Sequence, residues 1–329
     1  MKFLLAGFGS IGRRHLRNLL ALGEKDIVLL RSGRSTLPLD EAAGFPQENN
    51  LEAALAHKPD AVIIATPSAL HLQTAIPAAK QGCALLLEKP VSSSLDGIED
   101  LQKANSSIGN RMLVGFQFRF HPGLQFIRLE LQKQILGRVL CARVHFGEYL
   151  PGWHPWEDYR QSYTSRADLG GGAALTQCHS LDYLRWLLGD VQALSAITGR
   201  VSNLQMDVED LVEASLRFSN GAIGHMHLDL FRRPPIHTLE ITTENGLITW
   251  DNSSGVASVY DAQTEKWEQY APPADFERNV MFLDEMRHFI EVAKGLARPV
   301  CSLEDGIQVL KLSLAILQSS ARSQSIMIT

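Results

Sequence analysis

A doubly wound parallel sheet of the Rossmann type over residues 1–120, then an α+β domain over 121–329 with an open, largely antiparallel sheet, is the α/β fold class this sequence predicts. Three observations carry that expectation. Short continuous apolar runs alternate with helical patterns in the first third, a glycine-rich turn follows the first run, and hairpin signals recur beyond residue 190. A chain of 329 residues suits two domains, each with its own core. With 45% hydrophobic and 20% charged residues the composition is globular, which argues against disorder.

The apolar runs are Phe3–Ala6, Ile27–Leu30, Ala61–Ala65, Ala84–Leu87 and Met112–Gly115. Unbroken apolarity, rather than alternation, is what a strand covered on both faces requires. Helical patterns at Ile11–Leu22, Leu51–His57, Leu70–Gln81 and Ser94–Ile108 lie between them, with Ser94 as an N-cap. Strand–helix–strand spacing of this kind makes βαβ units and therefore a parallel sheet. Beyond Phe120 a helix is expected over Leu124–Leu136, stopped by Gly137, then a strand over Val139–Tyr149 and an aromatic, polar loop over Leu150–Leu169. One helix is expected over Ala173–Leu188, and mostly strand over Val191–Tyr260, with hairpins at Asn220-Gly221 and Asn245-Gly246. Helices Arg278–Ala293 and Leu303–Ser320 close the chain.

Charge and cysteine usage narrow the function. The net charge is -5, and the basic stretches are as short as Arg13-Arg14 and Arg232-Arg233, so no nucleic-acid partner is expected. Four cysteines lacking any C-x-x-C pair argue against a disulfide framework and a thiolate zinc site. His15, His121, His225 and His227 show no ligand spacing with carboxylates or cysteines, so no metal is expected. The opening apolar run is too short for a signal segment, and no stretch approaches a membrane span. A reduced, cytoplasmic protein with no membrane partner follows as the expectation.

Gly7-Phe8-Gly9-Ser10-Ile11-Gly12 fits G-x-G-x-x-G between a strand and a helix. Gly7 permits the tight turn, Gly9 lets a pyrophosphate approach the backbone, and Gly12 lets helix and strand pack closely. Ser10 and Ile11 open the helix whose N-terminus faces the phosphates. At the end of the second strand, where a carboxylate would hold the ribose hydroxyl of NAD, stand Arg31, Ser32 and Arg34. Guanidinium groups suit a 2′-phosphate, which favours NADP over NAD.

Three further segments complete a pattern: Ala65-Thr66-Pro67-Ser68 with His71, Glu88-Lys89-Pro90, and Gly170-Gly171-Gly172 before a helix carrying His179 and Asp182. With the glycine turn, these motifs make the chain resemble the glucose–fructose oxidoreductase / inositol dehydrogenase (Gfo/Idh/MocA) family along nearly its whole length. The resemblance implies an NAD(P)-dependent oxidoreductase acting on a hydroxyl or carbonyl of a sugar, cyclitol or sugar derivative, and a homodimer or homotetramer. It implies that Thr66, Pro67, Ser68, His71 and Glu88 attend the cofactor, that Lys89 binds the reacting hydroxyl beside the nicotinamide, and that His179 is the general base.

One departure stands out. Related enzymes carry an aspartate one helical turn before the histidine, where this chain has Thr176, so Asp182 at i+3 is the candidate replacement. Polar-tipped aromatics and cations suit a sugar ring with an acidic substituent: Tyr149, Trp153, Tyr163 and Arg166, joined by Arg119, with Asp182 also counted among the candidate substrate-binding residues. Two alternatives remain open at this point, a glycoside hydrolase working by transient oxidation and a dinucleotide-binding sensor without turnover.

Overall fold

The computed structural model describes residues 1–33 and 40–328. The chain divides into two compact units, Met1–Gln117 with Arg278–Gln308, and Phe118–Glu277 with Val309–Thr329.

The first unit holds a six-stranded parallel sheet built from β1 (Lys2–Ala6), β2 (Asp26–Leu30), β3 (Gln47–Glu48), β4 (Ala61–Ile64), β5 (Ala84–Glu88) and β6 (Met112–Gly115). Their order, β3-β2-β1-β4-β5-β6, reverses direction at β1, which opens a crevice beyond the carboxyl ends of β1 and β4. The crossover helices are α1 (Ser10–Ala21), α2 (Leu51–Ala56), α3 (His71–Lys80) and α4 (Ile98–Ser107). The strand runs expected from sequence are present, because residues apolar on both faces are buried on both: Leu4, Ile63 and Leu86 have no exposed surface. Helix α4 begins later than expected. Gly97 takes a left-handed conformation (φ 78°) that a helix cannot pass through, and Ser94 instead closes a local turn on Asp96. The helix Arg278–Ala293 packs on α1, β5 and β6, and Val114 N–H donates to the Cys301 carbonyl at 3.0 Å.

The second unit contains α5 (Pro122–Lys133), β7 (Val139–Tyr149), α6 (Ala173–Thr176), α7 (His179–Leu188), β8 (Val191–Gly199), β9 (Leu211–Phe218), β10 (Ile223–Asp229), β11 (Phe231–Thr243), β12 (Gly246–Asp251), β13 (Ala257–Asp261), β14 (Lys266–Tyr270) and β15 (Ile326–Met327). The nine strands run β14-β13-β12-β11-β7-β10-β9-β8-β15, antiparallel except for the β7–β10 pair. Helix α5 ends at Lys133 because Gln134, rather than Gly137, takes the left-handed cap (φ 57°). Both expected hairpins form, although Gly246 serves close approach: a Cβ there would lie 2.2 Å from the Tyr260 carbonyl. Strand β14 was not expected, since its Lys266-Trp267-Glu268-Gln269-Tyr270 run is polar and exposed along an edge. Along β7 and β10 the period of two buries Val144, Phe146, Met226 and Leu228 on the helix side. Arg143, His145, His225 and His227 fall on the opposite face.

Helix α5 is capped by a titratable group. His121 Nδ1 accepts from Gly123 N–H at 3.0 Å, and burial pushes its pKa from 6.5 down to about 4. The capped ring is neutral, so its stabilisation is complete above pH 6.5 and is lost as pH falls towards 4. Over that window the parent should lose about 3 kcal/mol more than His121→Asn, which keeps a capping oxygen but cannot titrate. Urea unfolding at several pH values measures this, and parallel pH profiles for the two proteins would contradict it.

Candidate functional site

Two glycines of the first turn are required by close packing, and the third stands beside open space. Gly7 has φ 96°, and a Cβ there would lie 2.4 Å from the Ala65 carbonyl oxygen. At Gly12 a Cβ would lie 2.1 Å from the Gly7 carbonyl oxygen, so a side chain would lift α1 off β1. At Gly9 a Cβ would meet nothing within 4 Å. Gly9 precedes α1 without a side-chain cap, and no acidic residue occupies the first turn. The N–H groups opening α1 at Ser10, Ile11 and Gly12 thus lack a capping side chain, and they carry the positive end of the helix dipole. Open space over unclaimed donors fits a dinucleotide pyrophosphate.

At the end of β2 no carboxylate stands between Leu30 and Gly33. Arg31 donates to Gln47 Oε1, and its guanidinium lies 5.7 Å from the centroid of the Phe8 ring, which also carries Arg13 at 4.8 Å. Ser32 follows in the same loop, and Arg34 lies outside the described residues. Phe8, a platform for two cations, was not singled out from sequence, because the middle position of a G-x-G motif is free to vary.

Beyond β4 and β5 two buried histidines tie the loops together. His71 sits behind Thr66, Pro67 and Ser68 with Nε2 2.9 Å from the Thr66 carbonyl and Nδ1 2.9 Å from that of Pro90. Burial lowers its pKa, and a neutral ring donates to one of these oxygens at a time. Its nitrogens face main chain, so it links the β4 loop to the Lys89-Pro90 turn rather than presenting itself to a ligand. His15 on α1 meets Glu88 Oε1 at 2.8 Å, both side chains being buried. Burial pushes the Glu88 carboxyl up, but the His15 ring and Lys89 outweigh it and hold the group below its ordinary range. Lys89 N–H donates to Glu88 Oε2 at 3.3 Å, and the half-buried Lys89 side chain leaves the carboxyl end of β5.

In the second unit the expected single helix over Ala173–Leu188 is broken at Gln177-Cys178, where the buried Gln177 amide donates to the Asp229 carbonyl at 3.0 Å. Thr176 therefore ends α6 and His179 begins α7, so simple helical spacing no longer relates them. His179 is buried with the Phe118 ring edge-on at 5.2 Å. Asp182 is held by Arg119, whose Nε lies 3.1 and 3.0 Å from its two oxygens, with a second nitrogen at 2.6 Å. At 3% and 1% exposure the two groups brace each other, where the sequence placed both beside substrate. The glycine triplet approaches protein rather than ligand: a Cβ on Gly171 would lie 2.4 Å from the Tyr163 and Thr164 carbonyls, and one on Gly172 2.4 Å from Glu209. Burial raises the Glu209 carboxyl, which accepts from Ala174 N–H at 2.9 Å.

The aromatic loop is only partly available. Arg233 stacks on Tyr149 at 4.1 Å, Trp153 and Tyr163 are half-buried, and Arg166 pairs with Asp168 at the surface. Two groupings escaped the sequence. Phe118, Tyr183, His237 and Trp250 form one edge-to-face cluster, with Tyr183 hydroxyl 3.1 Å from His237 Nε2. His227, expected to lack a carboxylate at ligand spacing, lies 3.1 Å from Asp229 Oδ2, with His145 alongside. The signal was His227-Leu228-Asp229 on a strand, since residues i and i+2 share a face.

Residues 1–116 match the family described as oxidoreductase family, NAD-binding Rossmann fold, and residues 125–249 match the GFO/IDH/MocA C-terminal domain. The chain is 24% identical over 305 residues to 1,5-anhydro-D-fructose reductase of Ensifer adhaerens, covering 89% of this chain and 84% of the relative. It is 23% identical over 326 residues to D-xylose 1-dehydrogenase (NADP(+)) 2 of Haloferax volcanii, covering 97% of each. Among solved structures, the WlbA dehydrogenase from Bordetella pertussis in complex with NADH and UDP-GlcNAcA superposes with a TM-score of 0.84 at 23% identity, over 100% of this chain and 99% of that one.

The buried Arg119–Asp182 pair yields a direct stability test. Asp182→Ala strands a guanidinium out of water and should cost about 3–5 kcal/mol. Replacing both partners, as in Arg119→Met with Asp182→Leu, should cost clearly less, because no charge is left uncompensated. Denaturant unfolding of both variants decides it, and a single-variant cost under about 1 kcal/mol would refute the bracing role.

Proposed function

The chain belongs to the Gfo/Idh/MocA oxidoreductase family, and on that premise we propose that it transfers a hydride between a nicotinamide dinucleotide and a hydroxyl or carbonyl of a sugar, cyclitol or sugar derivative. The observation that carries the reading is the uncapped start of α1, with space above Gly9 and no acidic side chain in its first turn. The sugar-related names of the relatives above support the substrate class.

Gly7, Gly9, Ser10, Ile11 and Gly12 would hold the pyrophosphate, with Thr66, Pro67 and Ser68 bordering it. The lack of a carboxylate at Arg31-Ser32-Gly33 favours NADP(H), since an acid there would repel a 2′-phosphate. When bound, the nicotinamide supplies the hydride acceptor or donor. The chain supplies the rest. In the oxidation direction His179 would take the hydroxyl proton, and the Lys89 ammonium would hydrogen-bond that oxygen, stabilising the negative charge that develops there. Glu88, with His15 behind it, sets the Lys89 backbone, and His71 fixes the turn that follows. These are positioning roles.

Incubation with NADP⁺ or NAD⁺ against polyols, aldoses and sugar acids, read by the near-ultraviolet absorbance of the reduced nicotinamide, tests the activity. On a substrate the parent oxidises, His179→Ala should lower kcat by about 10²–10⁴ and leave dinucleotide affinity unchanged. Near-parental turnover would remove His179 from the reaction. Gly9→Val fills the open space at a φ of -79° that any residue adopts. It should weaken NADPH binding at least about tenfold and shift unfolding by no more than about 0.5 kcal/mol. Unchanged NADPH affinity would overturn the pyrophosphate assignment.

A further inference from the structure

We propose that His145, His227 and Asp229 form a zinc-binding site on the open face of the nine-stranded sheet. Strands β7 and β10 run side by side and parallel, with His145 opposite His227 and Gly147 opposite Asp229. The period of two then brings all three side chains to one face, the face turned away from α6 and α7. Each residue offers a ligand atom, and these atoms lie within 4.8 Å of one another. The rings of His145 and His227 are 4.4 Å apart, and His145 Nε2 is buried without a hydrogen-bond partner.

The surroundings are built for this arrangement. Asp229 is 1% exposed, and its Oδ1 accepts from Phe231 N–H at 3.1 Å, which leaves Oδ2 facing His227. A Cβ at residue 147 would lie 2.3 Å from that Oδ2, so the glycine makes the space the carboxylate occupies. His227 poses a proton-count problem. Its Nδ1 faces Glu213 Oε1 and its Nε2 faces Asp229 Oδ2, yet a neutral imidazole carries one N–H. If Nδ1–H donates to Glu213, the Nε2 lone pair points at a carboxylate oxygen, and a cation between them resolves the repulsion. Carboxylate–histidine–zinc relays use this geometry, the outer acid fixing the tautomer.

Two imidazoles and one carboxylate are a donor set that zinc accepts, with a fourth position left for water. Around tetrahedral zinc, with bonds of about 2.0–2.1 Å, donors stand about 3.4 Å apart. His227 and Asp229 already stand at 3.1 Å, and the His145 ligand atom, within 4.8 Å of both, would close in on the ion to complete the set. A cavity of about 580 Å³, lined by Arg143, His145, Glu213 and His227 among others, gives the ion a route in and room for that water. Arg232 beside Gly147 and Arg143 on the cavity wall oppose a cation, and four carboxylates face them, Asp229 and Glu213 at the trio and Glu240 and Asp251 on the wall. The ion would cross-link β7 to β10, independently of the proposed redox chemistry.

The test uses the untagged full-length chain, stripped with chelator and titrated with Zn²⁺ by calorimetry, with Co²⁺ absorbance reporting the coordination geometry. The expected result is one ion per chain, intense visible Co²⁺ bands of a tetrahedral site, and a higher Tm with Zn²⁺. His145→Ala and His227→Ala should each weaken binding at least about tenfold, and Glu213→Gln, which removes only the outer acid, by about tenfold. Thr249→Val, elsewhere on the cavity wall and outside the trio, should bind as the parent does. No saturable Zn²⁺ binding by the parent would show that a proton on His227 satisfies both carboxylates, and would overturn the site. Parental affinity in the His145→Ala/His227→Ala double variant would overturn it equally.

Discussion

The chemistry of the first unit depends on how closely α1 packs against β1 and β4. Only glycine at residues 7 and 12 permits the approach, since a Cβ at either would run into main-chain carbonyl oxygen. The packing aims the first turn of α1 outward at the carboxyl edge of the sheet. It also carries His15, one turn further on, to Glu88 at the end of β5. A buried hydrogen bond to a charged group contributes about 1.5–3 kcal/mol, enough to make α1 and the Lys89 loop one rigid frame. His71 adds the β4 loop to it through main-chain carbonyls.

The second unit positions its groups by side-chain packing instead. Phe118 meets His179, Tyr183, His237 and Trp250 edge-on, and such ring pairs add about 0.5–1.5 kcal/mol each beyond burial. The Arg119–Asp182 pair ties the first turn of α7 to the segment after Phe118. The Phe118 ring, edge-on to His179 at 5.2 Å, restricts how that imidazole can turn. The opposite sheet face is polar and follows a different logic, with Glu213, His227, His145 and Asp229 gathered across three strands.

Local physics was legible in the sequence where it decides structure locally. Continuous apolar runs announced the parallel strands, G-x-G-x-x-G announced the start of α1, and Asn-Gly announced two hairpins. Some misreadings were local, and others came from contacts between residues far apart in sequence. Ser94 looked like a helix cap until Gly97 proved left-handed, and Ala173–Leu188 looked continuous until Gln177 turned to the Asp229 carbonyl. The Arg119 partner of Asp182 lies 63 residues earlier in the chain, a pairing no local pattern announces. The trio on β7 and β10 needed the cross-strand register, which no local pattern encodes.

Amide hydrogen exchange with and without NADPH tests most directly whether the start of α1 is the anion site on which this account rests. Bound dinucleotide should give the N–H groups of Gly9, Ser10, Ile11 and Gly12 the largest gain in protection in the first unit, because they would pass from solvent to phosphate oxygen. Protection confined to other segments, with these amides exchanging as before, would contradict the account.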